Sequence, residues 1–232
     1  MTVQLNKDIE LKETSKERVL SFLNLTKDSN PVHQFEKWIF PGMFYLALAA
    51  KHFPRQLKSL CVDFKETIKY PFECSMHQQS QEDSTKISFR KNGISLCNIR
   101  ATFFQEPART DYSGLEKFAY ILGVSEDDCN LRHLWLACCI PGKLGKFLQK
   151  EKGAKAGIYK KQTLKFGDLL PPNPQLEISV RSIKGKLYQL RTDYYAPDRN
   201  VLVRGRALVY PLGIKKTRTA APTQSPMQQQ EL

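Results

Sequence analysis

The feature that most constrains this chain is a repeat with a period close to 100 residues. Asp28-Ser29-Asn30-Pro31-Val32-His33 lies over Asp128-Cys129-Asn130-Leu131-Arg132-His133, and Pro41-Gly42 lies over Pro141-Gly142 at the same offset. Lys65-Glu66-Thr67-Ile68-Lys69-Tyr70 resembles Lys161-Gln162-Thr163-Leu164-Lys165-Phe166 at an offset of 96. Arg100-Ala101-Thr102-Phe103-Phe104 meets Arg206-Ala207-Leu208-Val209-Tyr210 at 106. Four matches in one order point to a tandem duplication. The 232 residues leave room for two units of about 100 residues each.

Each half reads alike. In the first, Glu13-Thr14-Ser15 offers a cap, and Val19, Phe22, Leu23 and Leu25 form the apolar stripe of a helix. A loop with the Asp-Asn-His set follows, then an apolar helix opened by Pro-Gly, Met43 to His52. Proline suits a helix start because its missing N–H would have no partner there. Strands are predicted at 60–70, 85–90 and 94–104, and in the second half at 158–166, 177–183, 187–195 and 201–210. The alternation Tyr188, Leu190, Thr192, Tyr194 and the turn dipeptide Asn92-Gly93 support them. A buried helix followed by antiparallel strands, twice over, predicts an α+β fold with a sheet wrapped around helices. The boundaries are 1–106, 107–213 and a tail, 214–232, with almost no large apolar residues and expected to be disordered.

Composition removes several classes. With 41% apolar and 25% charged residues the chain is neither fibrous nor wholly disordered. Its longest apolar run, Trp38 to Ala50, is too short for a membrane span and contains Pro41 and Gly42. Residues 1–18 are polar and carry acids, which predicts neither a signal nor a transit peptide and a cytoplasmic location. The six cysteines show no metal-ligand or disulfide spacing. A net charge of +13 favours polyanionic partners. From Lys143 to Lys165 eight lysines face one acid, Glu151. The aromatics sit in apolar runs rather than among these cations, which disfavours nucleic acid.

The segment from Thr14 to His33, with its capped helix, Phe22, Thr26, Asp28 and Asn30-Pro31-Val32-His33, resembles the MaoC-like, (R)-specific enoyl-thioester hydratases and dehydratases. That resemblance implies the hot-dog fold, and the internal repeat implies two hot dogs in one chain, each a long central helix wrapped by an antiparallel sheet. It implies that Asp28 and His33 activate a water, Asp28 as the main base, and that Gly42 offers its backbone N–H to the thioester oxygen. Asn30 and Pro31 would shape the loop. No cofactor or metal is implied; coenzyme A or phosphopantetheine arrives as part of the substrate.

The pattern departs from the family's at three points. Lys27 stands where a glycine usually precedes the Asp, and only nine residues separate His33 from Gly42. That short spacing resembles the dehydratases of fatty acid and polyketide synthesis, but Ala47 and Phe147 stand where those enzymes carry an acid. Asp28 must then supply the carboxylate. Asp128, His133 and Gly142 form a possible second or vestigial site; Leu131 and Arg132 break its pattern, which favours a structural role. Lys143, Lys146, Lys150, Lys160 and Lys161 are candidates for docking coenzyme A phosphates or an acidic acyl carrier protein. The alternatives are a hot-dog thioesterase and a non-catalytic acyl-thioester-binding protein. Either a monomer or a homodimer fits, since two hot dogs in one chain already supply the pairing.

Overall fold

The computed structural model describes residues 5–11, 15–33, 39–67, 73–106, 114–167, 170 and 174–213. The chain opens with β1 (Leu5–Leu11) and α1 (Lys16–Thr26). Ser15 Oγ caps α1 by accepting the Arg18 N–H at 3.2 Å, and Val19, Phe22, Leu23 and Thr26 are its buried face. A 3-10 turn (Pro31–His33) leads on to α2 (Phe44–Ala49) and a second 3-10 turn (Ala50–His52). Four strands follow: β2 (Leu57–Phe64), β3 (Cys74–Ser80), β4 (Ser84–Lys91) and β5 (Ile94–Phe103). The second half has α3 (Glu116–Leu122) and α4 (Leu131–Lys152), then β6 (Ala156–Phe166), β7 (Gln175–Lys184), β8 (Leu187–Tyr195) and β9 (Val201–Leu212).

The described strands form one sheet in the order β1-β3-β4-β5-β2-β6-β9-β8-β7, every neighbouring pair antiparallel. From the centre outward, β2-β5-β4-β3 and β6-β9-β8-β7 follow the same chain order. At the seam β2 pairs with β6, and Val62 stands opposite Gln162. Lys161 to Phe166 lies inside β6, whereas Lys65 follows the end of β2.

Side chains alternate across each strand. On β9, Val203, Ala207 and Val209 face the core while Arg204 and Arg206 face solvent. The helices pack on the inner face and on each other. Phe22 meets Phe44 edge-on at 5.1 Å, and Phe118 meets Trp135 at the same distance. Neither β1 nor β3 was expected; β1 adds to the sheet edge beside β3, with Ile9 and Leu11 partly buried against the core.

The two apolar helices differ from expectation. The first is only six residues with a 3-10 extension, not a long helix. In the second half Pro141 and Gly142 do not open a helix but lie inside the 22-residue α4. Proline there removes the hydrogen bond owed to the Ala137 carbonyl, and Gln162 Nε2 supplies it instead at 3.2 Å. Gly142 is needed for close approach: a Cβ would fall 2.3 Å from the Lys27 carbonyl oxygen at the end of α1. The predicted tail, 214–232, lies outside the described residues.

Candidate active site

The site is built where α1 ends. Lys27 takes the left-handed conformation (φ 55°, ψ 33°), and its N–H and that of Asp28 close the helix on the Asn24 and Leu23 carbonyls. Lysine pays some strain at a position that favours glycine. The turn presents Asp28, whose Oδ1 accepts the Asn30 N–H at 3.1 Å. Asn30 Nδ2 then donates to the Gly157 carbonyl at 2.7 Å, tying the loop to β6.

His33 follows in the 3-10 turn. Its Nδ1 lies 2.7 Å from the Ile39 carbonyl. A carbonyl only accepts, so Nδ1 carries a proton and the neutral ring keeps a lone pair on Nε2. That lone pair faces Asp28 Oδ2 across 3.8 Å, with each side chain only 8% exposed. Two acceptors at that separation need a shared proton source: a water giving one O–H to each, or a proton on the ring. Burial pushes the Asp28 carboxyl above its ordinary value, while His33 and the Asn30 N–H oppose the shift. Asp28 is thus a stronger base than a surface aspartate.

Both side chains line a cavity of about 60 Å³ whose other walls include Val32, Phe40, Met43, Tyr45, Phe64, Ile158 and Tyr159. Gly42 lies in the wall, and no described residue accepts its N–H. Its lack of a side chain is required, since a Cβ would sit 2.8 Å from the Phe64 ring. Phe64, Gly157 and Tyr159 were not anticipated as site residues. Burial does not alternate in β6 from Ile158 to Lys161, and nothing local announces that the strand passes beside a loop 130 residues earlier. Among the described residues no group of three or more His, Cys, Asp or Glu side chains is placed to hold a metal.

No known family's sequence pattern matches the chain, and no curated protein matches it. Solved structures do. A MaoC-like dehydratase superposes with a TM-score of 0.62 at 8% identity, covering 89% of this chain and 98% of that one. HtdX of Mycobacterium tuberculosis gives 0.58 at 11% identity, covering 91% and 100%. The tesB protein of Mycobacterium avium subspecies paratuberculosis gives 0.55 at 13%, covering 75% and 88%. The chain has the hot-dog fold.

In the second half of this hot-dog chain the loop is copied but the site is not. Asp128 Oδ1 again accepts the following Asn N–H, from Asn130, at 2.7 Å. Asn130 is fully buried and clamps the neighbouring half, accepting the Leu57 N–H at 2.8 Å and donating to the Arg55 carbonyl at 3.0 Å. His133 parts company with its counterpart. The chain runs straight into α4 at Leu131, so His133 is carried on the helix into the core, edge-on to Phe166 at 4.8 Å. Neither ring nitrogen meets hydrogen-bonding geometry with a described residue. Burial pushes its pKa down to about 3, opposed only in part by the Cys129 backbone. With Gly142 inside α4, these three residues do not form a second copy of the first-half arrangement.

The candidate docking lysines sit on two elements. Lys143, Lys146 and Lys150 ride on α4, where Lys143 Nζ stands 5.9 Å from the Tyr194 ring centre. Lys160 and Lys161 are on β6, and Lys160 Nζ reaches the Lys65 carbonyl at 3.5 Å. Another cluster gathers on the solvent side of the sheet: Lys165, Arg181, Arg191, Arg204 and Arg206 line an open cleft. Arg191 stands opposite Arg206, and Lys165 opposite Arg204. Among the described residues no helix is long and apolar enough to cross a membrane.

Proposed function

We propose that the chain interconverts 2-enoyl and (R)-3-hydroxyacyl thioesters, as a hydratase or dehydratase, on two hot-dog repeats spanning 1–106 and 107–213. The observation that carries this reading is the Asp28–His33 gap of 3.8 Å with the His33 tautomer set by Ile39. A water bridging Oδ2 and Nε2 is held by two acceptors. In hydration Asp28 removes a proton as the water oxygen bonds to C3. Charge then builds on the thioester oxygen, where the Gly42 N–H would donate. The proton returns to C2 from the Asp28–His33 pair. Dehydration is the same sequence reversed.

The apolar walls suit an acyl chain, and coenzyme A or a carrier-bound phosphopantetheine would bring it. The lysines of β6 and the arginine-lined cleft supply cations for the phosphates of the one or the acidic surface of the other. A thioesterase is the second reading, because a tesB protein is among the structural neighbours and the same water could attack the carbonyl carbon. The string Asp28 to His33 favours hydration. A protein that binds acyl thioesters without turning them over is the third. We place the protein in the cytoplasm, as a monomer or homodimer.

The test is loss of conjugated enoyl-thioester absorbance with crotonyl-CoA and a longer 2-enoyl-CoA, for wild type, Asp28→Asn and Asp128→Asn. Activity lost only in Asp28→Asn supports the reading. Thiol release without hydration replaces it with the thioesterase.

A further inference from the structure

Tyr159 comes from the half of the chain that does not carry Asp28 and His33, yet it forms part of the same cavity wall. Its hydroxyl is buried and meets hydrogen-bonding geometry with no described residue. A buried phenol O–H without a partner costs stability, and a dry core position would be filled as well by phenylalanine. The strand is irregular at this point: the β6–β9 register shifts between Tyr159 and Lys161. Bulges of this kind re-aim a side chain.

The hydroxyl is also chemically distinct from its neighbours. Burial, and then the negative charge of Asp28, hold the phenol well above its ordinary pKa. Both effects favour the neutral phenol, an O–H donor. With the ring neutral, Asp28 Oδ2 and His33 Nε2 are both acceptors, so a ligand oxygen placed between them still has lone pairs to satisfy.

We propose that Tyr159 contacts the substrate, its O–H donating to the ligand oxygen that Asp28 engages: the 3-hydroxyl of a hydroxyacyl thioester, or the water that becomes it. This rests on the reading of the cavity as an acyl-thioester site. It adds a specificity element to that site: recognition of an oxygen at C3, supplied from the other half of the chain.

Binding isotherms for butyryl-CoA and (R)-3-hydroxybutyryl-CoA test it, with crotonyl-CoA hydration measured separately. Tyr159→Phe keeps the ring and removes only the orphan hydroxyl, so it folds, which a thermal melt verifies. Wild type is expected to bind the hydroxylated ligand about tenfold more tightly, as for one good hydrogen bond. Tyr159→Phe is expected to lose that preference and keep its affinity for butyryl-CoA. A variant that retains the preference, one that weakens both ligands equally, or a wild type with no preference overturns the assignment. A protein that binds neither ligand overturns it together with the functional reading. Preference lost in the variant, in a protein that hydrates nothing, supports Tyr159 and refutes the hydratase.

Discussion

Asp28 Oδ2 and His33 Nε2 face each other across 3.8 Å, and the Ile39 carbonyl fixes the proton on the far side of the ring. The relationship is local in sequence, five residues apart, but depends on the left-handed turn at Lys27 and on Asn30 gripping β6. On the proposed reading it makes Asp28 both the working base and a liability, because its burial opposes ionisation.

Asp28→Asn is expected to abolish hydration, by roughly 10²- to 10⁴-fold, as for loss of a general base. The same change should raise the melting temperature at neutral pH. The folded-state pKa of Asp28 lies above its unfolded value, so its contribution to stability falls as pH rises from the ordinary carboxylate value to the raised one. The asparagine has nothing to ionise and keeps an oxygen for the Asn30 N–H. Melts at several pH values check this: the advantage should vanish at acid pH. In wild type the acid limb of kcat/KM should lie above the usual aspartate pKa of about 3.9, since the carboxylate is the working form.

Gly42→Ala retains the backbone N–H but drives a methyl group to within 2.8 Å of the Phe64 ring. Either the ring or the loop, both in the cavity wall, must shift. Turnover is expected to fall by about 10²-fold, the effect of a misplacement of about 1 Å, with little change in melting temperature. Steady-state kinetics beside a melt will separate a distorted site from a destabilised fold.

His133→Leu should leave hydration unchanged and make stability less dependent on acid. His133 is neutral when folded, with a pKa near 3, and protonates near 6.5 when unfolded. Between those values the unfolded state binds the extra proton, so wild-type stability declines as pH falls, by about 1.4 kcal/mol per pH unit for one proton. Denaturant titrations from pH 7 to pH 4 should show a shallower decline in the variant.

Gln162→Leu leaves the Ala137 carbonyl, already stripped of its helical partner by Pro141, without the donor at 3.2 Å. A buried acceptor left unsatisfied costs about 1–3 kcal/mol, or roughly 2–4 °C per kcal/mol in a chain of this size. A thermal melt of the variant, compared with Pro141→Ala/Gln162→Leu, in which the helix regains its own bond, checks the coupling. The double variant should recover most of the loss.

The strands whose inward positions are large and apolar were legible from alternation, and β8 falls at Leu187–Tyr195 as read from it. The cap at Ser15 was legible because a serine oxygen satisfies a helix N–H locally. β1 and β3 were not legible. Both are rich in polar residues and gain their conformation from pairing, β1 with β3 and β3 with β1 and β4. The helix around Pro141 misled for a related reason: local rules stop a helix there, but Gln162, a tertiary partner, repairs the missing bond.

The candidate site divides along the same line. Sequence alone determined the alternating strands and the short Asp28-to-His33 spacing, because each is set by contacts between near neighbours. Only the tertiary structure decided that the first Asp–His pair meets while His133 is carried away on α4. Only it brought Gly157 and Tyr159 against a loop 130 residues earlier, through the β2–β6 seam. Contacts that distant arise from strand register and helix packing, which no local pattern encodes.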